Sequence, residues 1–143
     1  MAPKVILDTN VFISVINKEA THEASSKLLN LIDLGNISGV ISTVSLAELS
    51  VGYHMEGDVN GLKTLVFHMI SSSNYEIIVL DVDTAVSAGK IRAEVGLRLP
   101  DSIIVASGIK AKVDYLISDD AEFKKADKIL KTLTPNDFIL TLS

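Results

Sequence analysis

Five acidic residues, at four places in this 143-residue chain, are hard to assign to ordinary structural duty. Asp8 closes the apolar run Val5-Ile6-Leu7 and precedes another, Val11-Phe12-Ile13. Glu48 shares helical spacing with Val44, Ala47, Val51, Gly52 and Met55, which places a carboxylate in an apolar stripe pointing inward. Asp101 follows Pro100 and opens the apolar body Ile103-Ile104-Val105-Ala106. Asp119 and Asp120 follow Tyr115-Leu116-Ile117-Ser118, and two adjacent acids there repel each other. Each also has an ordinary reading. Asp8 or Asn10 can cap a helix, Glu48 can reach solvent from an edge, Asp101 suits a first helical turn, and the acidic pair suits a turn. Brought together, such carboxylates raise one another's pKa, a problem that a bound divalent cation removes. With only oxygen ligands on offer the expected ion is hard, Mg²⁺ or Mn²⁺. Clusters of this kind suit phosphodiester hydrolysis.

The elements that must position these acids are readable from short apolar runs. Val5–Leu7, Ile37–Ile41, Ile77–Leu80, Tyr115–Ile117 and Ile129–Leu133 are expected strands, too short for helices. Helical spacing covers roughly 22–34, 44–55, 62–70, 84–95 and 101–111, and Gly35 is placed to stop the first of these. Residues 56–61 read as a turn between two helices, and 71–74 as a loop before a strand. Strands alternating with helices predict an α/β fold: one domain over 1–143, its central, mostly parallel sheet of four to five strands covered by helices on both faces. Ligands of open parallel sheets bind beyond the carboxyl ends of the strands. Asp8 and Asp119/Asp120 stand at such ends.

Composition narrows the class. Apolar residues make up 48% and charged residues 22%, as in an ordinary globular protein. The net charge of −5 argues against a general nucleic-acid coating protein. Without cysteine, neither a disulfide framework nor a thiolate zinc site is possible. His22, His54 and His68 show no metal-ligand spacing. The start is not a signal peptide, because Asp8 cuts its apolar run, and no stretch reaches the ~20 apolar residues of a membrane helix. The expected location is cytoplasmic, with no membrane partner.

At this point the chain resembles the PIN-domain family of metal-dependent ribonucleases, over roughly residues 4–140. Asp8-Thr9-Asn10 resembles the family's opening motif. Ser42 to Gly52, with Glu48-Leu49 inside it, resembles the second. Leu99-Pro100-Asp101-Ser102-Ile103-Ile104-Val105-Ala106 resembles the third, with Ser102 where the family most often has Ala. Ser118-Asp119-Asp120-Ala121-Glu122-Phe123 resembles the fourth; counting back from Phe123 favours Asp120, with Asp119 as second choice. The resemblance implies that Asp8, Glu48, Asp101 and Asp120 hold Mg²⁺ or Mn²⁺, directly or through its waters. Asn10 and Ser42 or Ser118 would orient a ligand, water or phosphate oxygen. It implies endonucleolytic hydrolysis of RNA. Compact members of this length are similar to VapC-type toxins, which are held inactive by a small antitoxin and form dimers. Other members process RNA outside such systems, and some are non-catalytic binding modules.

RNA must still be attracted to an acidic chain. All but three of the 13 basic residues lie after position 60. Lys90, Arg92 and Arg98 precede the third motif, and Lys124, Lys125, Lys128 and Lys131 follow the fourth. Arg92 and Arg98 are the only arginines and are the candidates for phosphate contact, since guanidinium suits bidentate phosphate binding. The lysines read equally as a solvated helix face. Two other classes fit less well. An aspartyl phosphatase would want an acid where Asn10 stands. A receiver-type signalling domain would want an acidic pair near the end of the first strand.

Overall fold

The computed structural model describes residues 2–19 and 22–142. Five strands, β1 (Lys4–Leu7), β2 (Ser38–Ser42), β3 (Tyr75–Ile78), β4 (Tyr115–Ile117) and β5 (Thr132–Leu133), form one sheet in the order β3-β2-β1-β4-β5. Every pairing is parallel. The chain builds outward from β1 to β2 and β3, then returns to place β4 on the other side of β1. The carboxyl ends of β1 and β4 therefore flank the point where strand order reverses, the favoured ligand position in such sheets.

Both faces are covered. The run Val5-Ile6-Leu7 looks uniformly apolar, yet its side chains divide by the two-residue period of a strand. Ile6, Val40 and Leu116 enter one core cluster with Ala88, Ile91, Ile104 and Phe123. Val5, Leu7, Ile41 and Ile117 enter the other with Phe12, Leu28, Ile32, Met69 and Phe138. The first cluster is roofed by α5 (Val82–Val95) and α6 (Leu99–Lys110). The second is covered by α1 (Thr9–Ile16), α2 (His22–Asp33), α3 (Thr43–Met55), α4 (Val59–Ser71) and α7 (Pro135–Thr141).

Gly35 ends α2 in the left-handed conformation (φ +80°) that a side chain would strain. Gly108 serves packing. A Cβ there would stand 2.9 Å from both Ile6 Cγ2 and Leu130 Cδ2, so the missing side chain lets α6 press onto β1. Gly108→Val is expected to destabilise the fold by about 2 kcal/mol or more, because overpacking outweighs the helix propensity it adds. An unchanged denaturation midpoint would refute this packing argument.

Some boundaries differ from the sequence expectation for identifiable reasons. α4 begins at Val59, inside the expected turn, because the Asp58 carboxylate accepts from the Gly61 N–H at 2.9 Å and caps it. α5 begins at Val82, capped by Asp81 through the Thr84 N–H at 2.9 Å. β3 lies two residues earlier than Ile77–Leu80, since Ile77 and Ile78 pair with Ile41 and Ser42 while Val79 and Leu80 lie beyond the ladder. β5 is only the last part of the expected 129–133. The inward stripe on α3 is corrected as well. Val51 and Met55 are exposed, and the face that enters the core carries Ser45 and Leu49.

Candidate active site

Asp8 is placed by β1 and buried, with 5% exposure. Its backbone N–H continues the sheet by donating to Ile117 O at 3.0 Å. It stands at the N-cap position of α1, yet its side chain makes no capping bond. The ordinary helix-cap reading therefore fails for this carboxylate. Instead Asp8 Oδ2 accepts from the Ser118 hydroxyl at 2.7 Å. The Ser118 oxygen in turn accepts from the Asp120 N–H at 2.9 Å, so one hydroxyl at the end of β4 fixes both an acid and the turn beside it.

Burial pushes the Asp8 carboxyl up to about 6. The Ser118 hydroxyl and the Thr9 N–H oppose that rise, while the neighbouring charges of Asp101 and Glu48 add to it. Those two acids, distant in sequence, therefore share the electrostatic environment of Asp8. Glu48 is half-buried on α3 and accepts from the Thr9 hydroxyl at 2.7 Å. Thr9 Oγ1 also lies 3.0 Å from Ser45 Oγ. A threonine hydroxyl has one proton, so the carboxylate takes it and Ser45 donates to the threonine oxygen. Thr9 thus ties α3 to the strand end. Sequence reasoning gave it no role, although a hydroxyl beside a strand-end acid was the available signal.

Asp101 is buried in the first turn of α6 and faces Arg98, with Arg98 Nε 3.1 Å from Oδ2 and Nη2 3.3 Å from Oδ1. The Arg98 guanidinium is held above its ordinary pKa chiefly by Asp101, with smaller contributions from Glu48 and Asp120. Asp120 is half-buried and opens the 3₁₀ helix Ala121–Ala126, its carboxylate accepting from the Glu122 N–H at 3.0 Å. Asp119 is exposed. Asp8, Glu48, Asp101 and Asp120 thus form one electrostatic neighbourhood around the carboxyl ends of β1 and β4.

The supporting positions fall differently. Ser118 sits in this neighbourhood. Ser42 is buried and caps α3 through the Val44 N–H at 3.2 Å. Asn10 and Arg92 are exposed. Three of the four late lysines make local ion pairs, Lys124 and Lys131 with Asp127 and Lys125 with Glu122. That matches a solvated face. A cleft of about 250 Å³ between α1 and α3 is lined by Ile13, Ile16, Leu49 and Tyr53 and reaches Glu48. A larger cavity of about 460 Å³, between α5 and α6, is lined by none of the four acids.

The donor set fits a hard divalent ion, being all oxygen, mutually repelling and partly desolvated. Among the described residues no three acids are already gathered tightly enough to hold one ion. Arg98 holds Asp101 and Thr9 holds Glu48, each turned to its own partner.

The family model described as PIN domain matches residues 5–129. The chain belongs to the PIN domain family. The fold is similar to that of a toxin–antitoxin complex chain from Klebsiella pneumoniae, with TM-score 0.70 and 23% identity, covering 92% of this chain and 97% of that one. It is equally similar to a chain of VapBC2 from Rickettsia felis bound to a DNA fragment from their promoter, with TM-score 0.70 and 23% identity over 92% and 98%. A chain of FitAcB from Neisseria gonorrhoeae gives TM-score 0.69 and 21% identity over 92% and 97%. The comparison with curated proteins found no match. Among the described residues, no helix of this PIN domain is long and apolar enough to cross a membrane.

Proposed function

We propose that this PIN domain is a Mg²⁺- or Mn²⁺-dependent endoribonuclease of the VapC type, the toxin of a toxin–antitoxin pair. The observation that carries the reading is a carboxylate, Asp8, buried at the switch point of a parallel sheet, its pKa raised chiefly by that burial and further by the charges of Asp101 and Glu48. Asp8, Glu48, Asp101 and Asp120 would hold the ion. When bound, a divalent ion activates water and stabilises the charge that develops on a phosphodiester. The protein's own groups prepare that site. Ser118 orients Asp8 and shapes the turn of Asp120, and Thr9 orients Glu48. Asn10, exposed in the first turn of α1, would be free to meet a substrate.

Support for a protein partner comes from the surface. Met55 is 82% exposed and Phe67 73%, on the adjacent helices α3 and α4. Exposed apolar side chains of this size suit an interface. The structural neighbours are themselves described as toxin–antitoxin complexes. We assign a small antitoxin to this face; a homodimer contact elsewhere on the chain is compatible with it. The site is expected to act within the cytoplasm, on cellular RNA.

The test is cleavage of an end-labelled RNA. Internal fragments are expected with Mg²⁺ or Mn²⁺ and none after chelation. Loss of a group behind a metal ligand costs about 10–100-fold, so Glu48→Gln and Asp101→Asn are each expected to lose at least about 100-fold. Cleavage that persists in EDTA, or in both variants, would overturn the assignment.

A further inference from the structure

Arg98 occupies an unusual position for an RNA-binding residue. Its side chain is 71% exposed, yet its guanidinium pairs with the carboxylate of Asp101, which is only 6% exposed. Two contacts, 3.1 and 3.3 Å, join the same two groups in a fork arrangement. Among the described residues, no other lysine or arginine pairs with any of the four acids. Arg98 also feels Glu48 and Asp120. A single internal cation therefore supplies positive charge where a metal-binding site needs it.

Asp101 faces the guanidinium, and among the described residues no trio of acids is gathered. The tie is weak by nature, because an ion pair with one largely solvated partner contributes little net stability. A divalent ion brings twice the charge into the same neighbourhood. A guanidinium freed from Asp101 would offer five donors in a planar fork that matches a phosphate.

We propose that Arg98 is an internal counter-ion of the acidic site: it holds Asp101 in the metal-free protein, is displaced when a divalent cation binds, and then contacts the phosphate backbone of the RNA. The proposal rests on the four acids being a metal-dependent ribonuclease site.

The experiment is calorimetric titration of the intact chain with Mn²⁺, at neutral pH and low ionic strength, for the wild type, Arg98→Gln and Arg98→Lys. Removing a weakly paired competitor is expected to tighten Mn²⁺ binding about fivefold in Arg98→Gln. The lysine variant, which keeps the charge but not the fork, should fall between. Melting curves confirm that the variants fold and give a second readout. Arg98→Gln should melt below the wild type without metal, and the gap should close in saturating Mn²⁺. With Mn²⁺ saturating, Arg98→Gln should raise KM for RNA more than it lowers kcat and flatten the dependence of KM on salt. If the wild type binds Mn²⁺ and Arg98→Gln binds it equally or more weakly, the counter-ion role is overturned while the metal site stands. If the wild type itself binds no Mn²⁺ at millimolar concentration, the metal-site reading fails and takes the counter-ion role with it.

Discussion

Asp8→Asn is expected to abolish RNA cleavage and, in the same protein, to raise stability at neutral pH. The two effects have one cause. Asp8 is buried, and its carboxyl is pushed up to about 6 from an ordinary value of 3.8. Between those values the folded protein holds a proton that the unfolded chain has released. Stability therefore falls as pH rises through this window, and above pH 6 the whole penalty of keeping the charge buried is present. It amounts to about 3 kcal/mol. Asparagine has nearly the same shape and can still accept from the Ser118 hydroxyl, but it carries no charge. The variant should match the wild type below about pH 4 and exceed it by about 2–3 kcal/mol near pH 7.5, with a divergence that tracks the Asp8 titration. Denaturant melts across that pH range measure it. Identical pH profiles would show that Asp8 is not strained by its surroundings. Saturating Mn²⁺ should then reverse the order, because a ligand that binds only the folded state stabilises the protein that can bind it.

The features legible from sequence were those set by local pattern. Each strand-end acid was visible as a polar residue closing an apolar run, and the α/β class followed from alternation. What required the structure was set by contacts between distant segments. Glu48 lies in the electrostatic neighbourhood of Asp8, but not through an inward stripe, since Val51 and Met55 are exposed. α3 is apolar on several sides, so its pattern did not say which side packs, and Ser45 and Leu49 decide it. α1 was hidden because Val11-Phe12-Ile13 reads as a flanking triplet of a strand-end motif, although Val11 and Phe12 are one face of a helix. α7 spans only seven residues, Pro135–Thr141, too few for a helical period to declare itself. Between Asp119 and Asp120, the pattern left two choices; Asp120 is half-buried and its charge reaches Arg98, whereas Asp119 is exposed. The net charge of −5 is a poor guide to a nucleic-acid partner for a related reason. It sums acids that a metal site would neutralise with acids, such as Asp127, already paired to lysines.

Phe123→Ala is expected to cost about 3–5 kcal/mol of stability, the usual range for removing a buried phenylalanine ring. Phe123 is fully buried, in the cluster that contains Ile6, Ile104 and Leu116. Those neighbours belong to β1, α6 and β4, the elements that carry Asp8, Asp101 and Asp120 or lead to them. The backbone adds a tie that does not depend on the ring, since the Phe123 N–H donates to Asp120 O at 3.2 Å. A domain with about 5–15 kcal/mol in total can lose that much and retain a folded population only when well above the minimum. Phe123→Leu separates anchoring from chemistry. Leucine fills most of the volume and should cost less than about 1.5 kcal/mol. If the ring matters only by holding the Asp120 turn in place, Phe123→Leu should keep most of the Mn²⁺ affinity and RNA cleavage at temperatures where it is folded. A midpoint for Phe123→Ala within about 1 kcal/mol of the wild type would contradict the burial argument. A stable Phe123→Leu that binds Mn²⁺ normally but cleaves nothing would instead give the ring a direct part at the substrate, which its complete burial argues against.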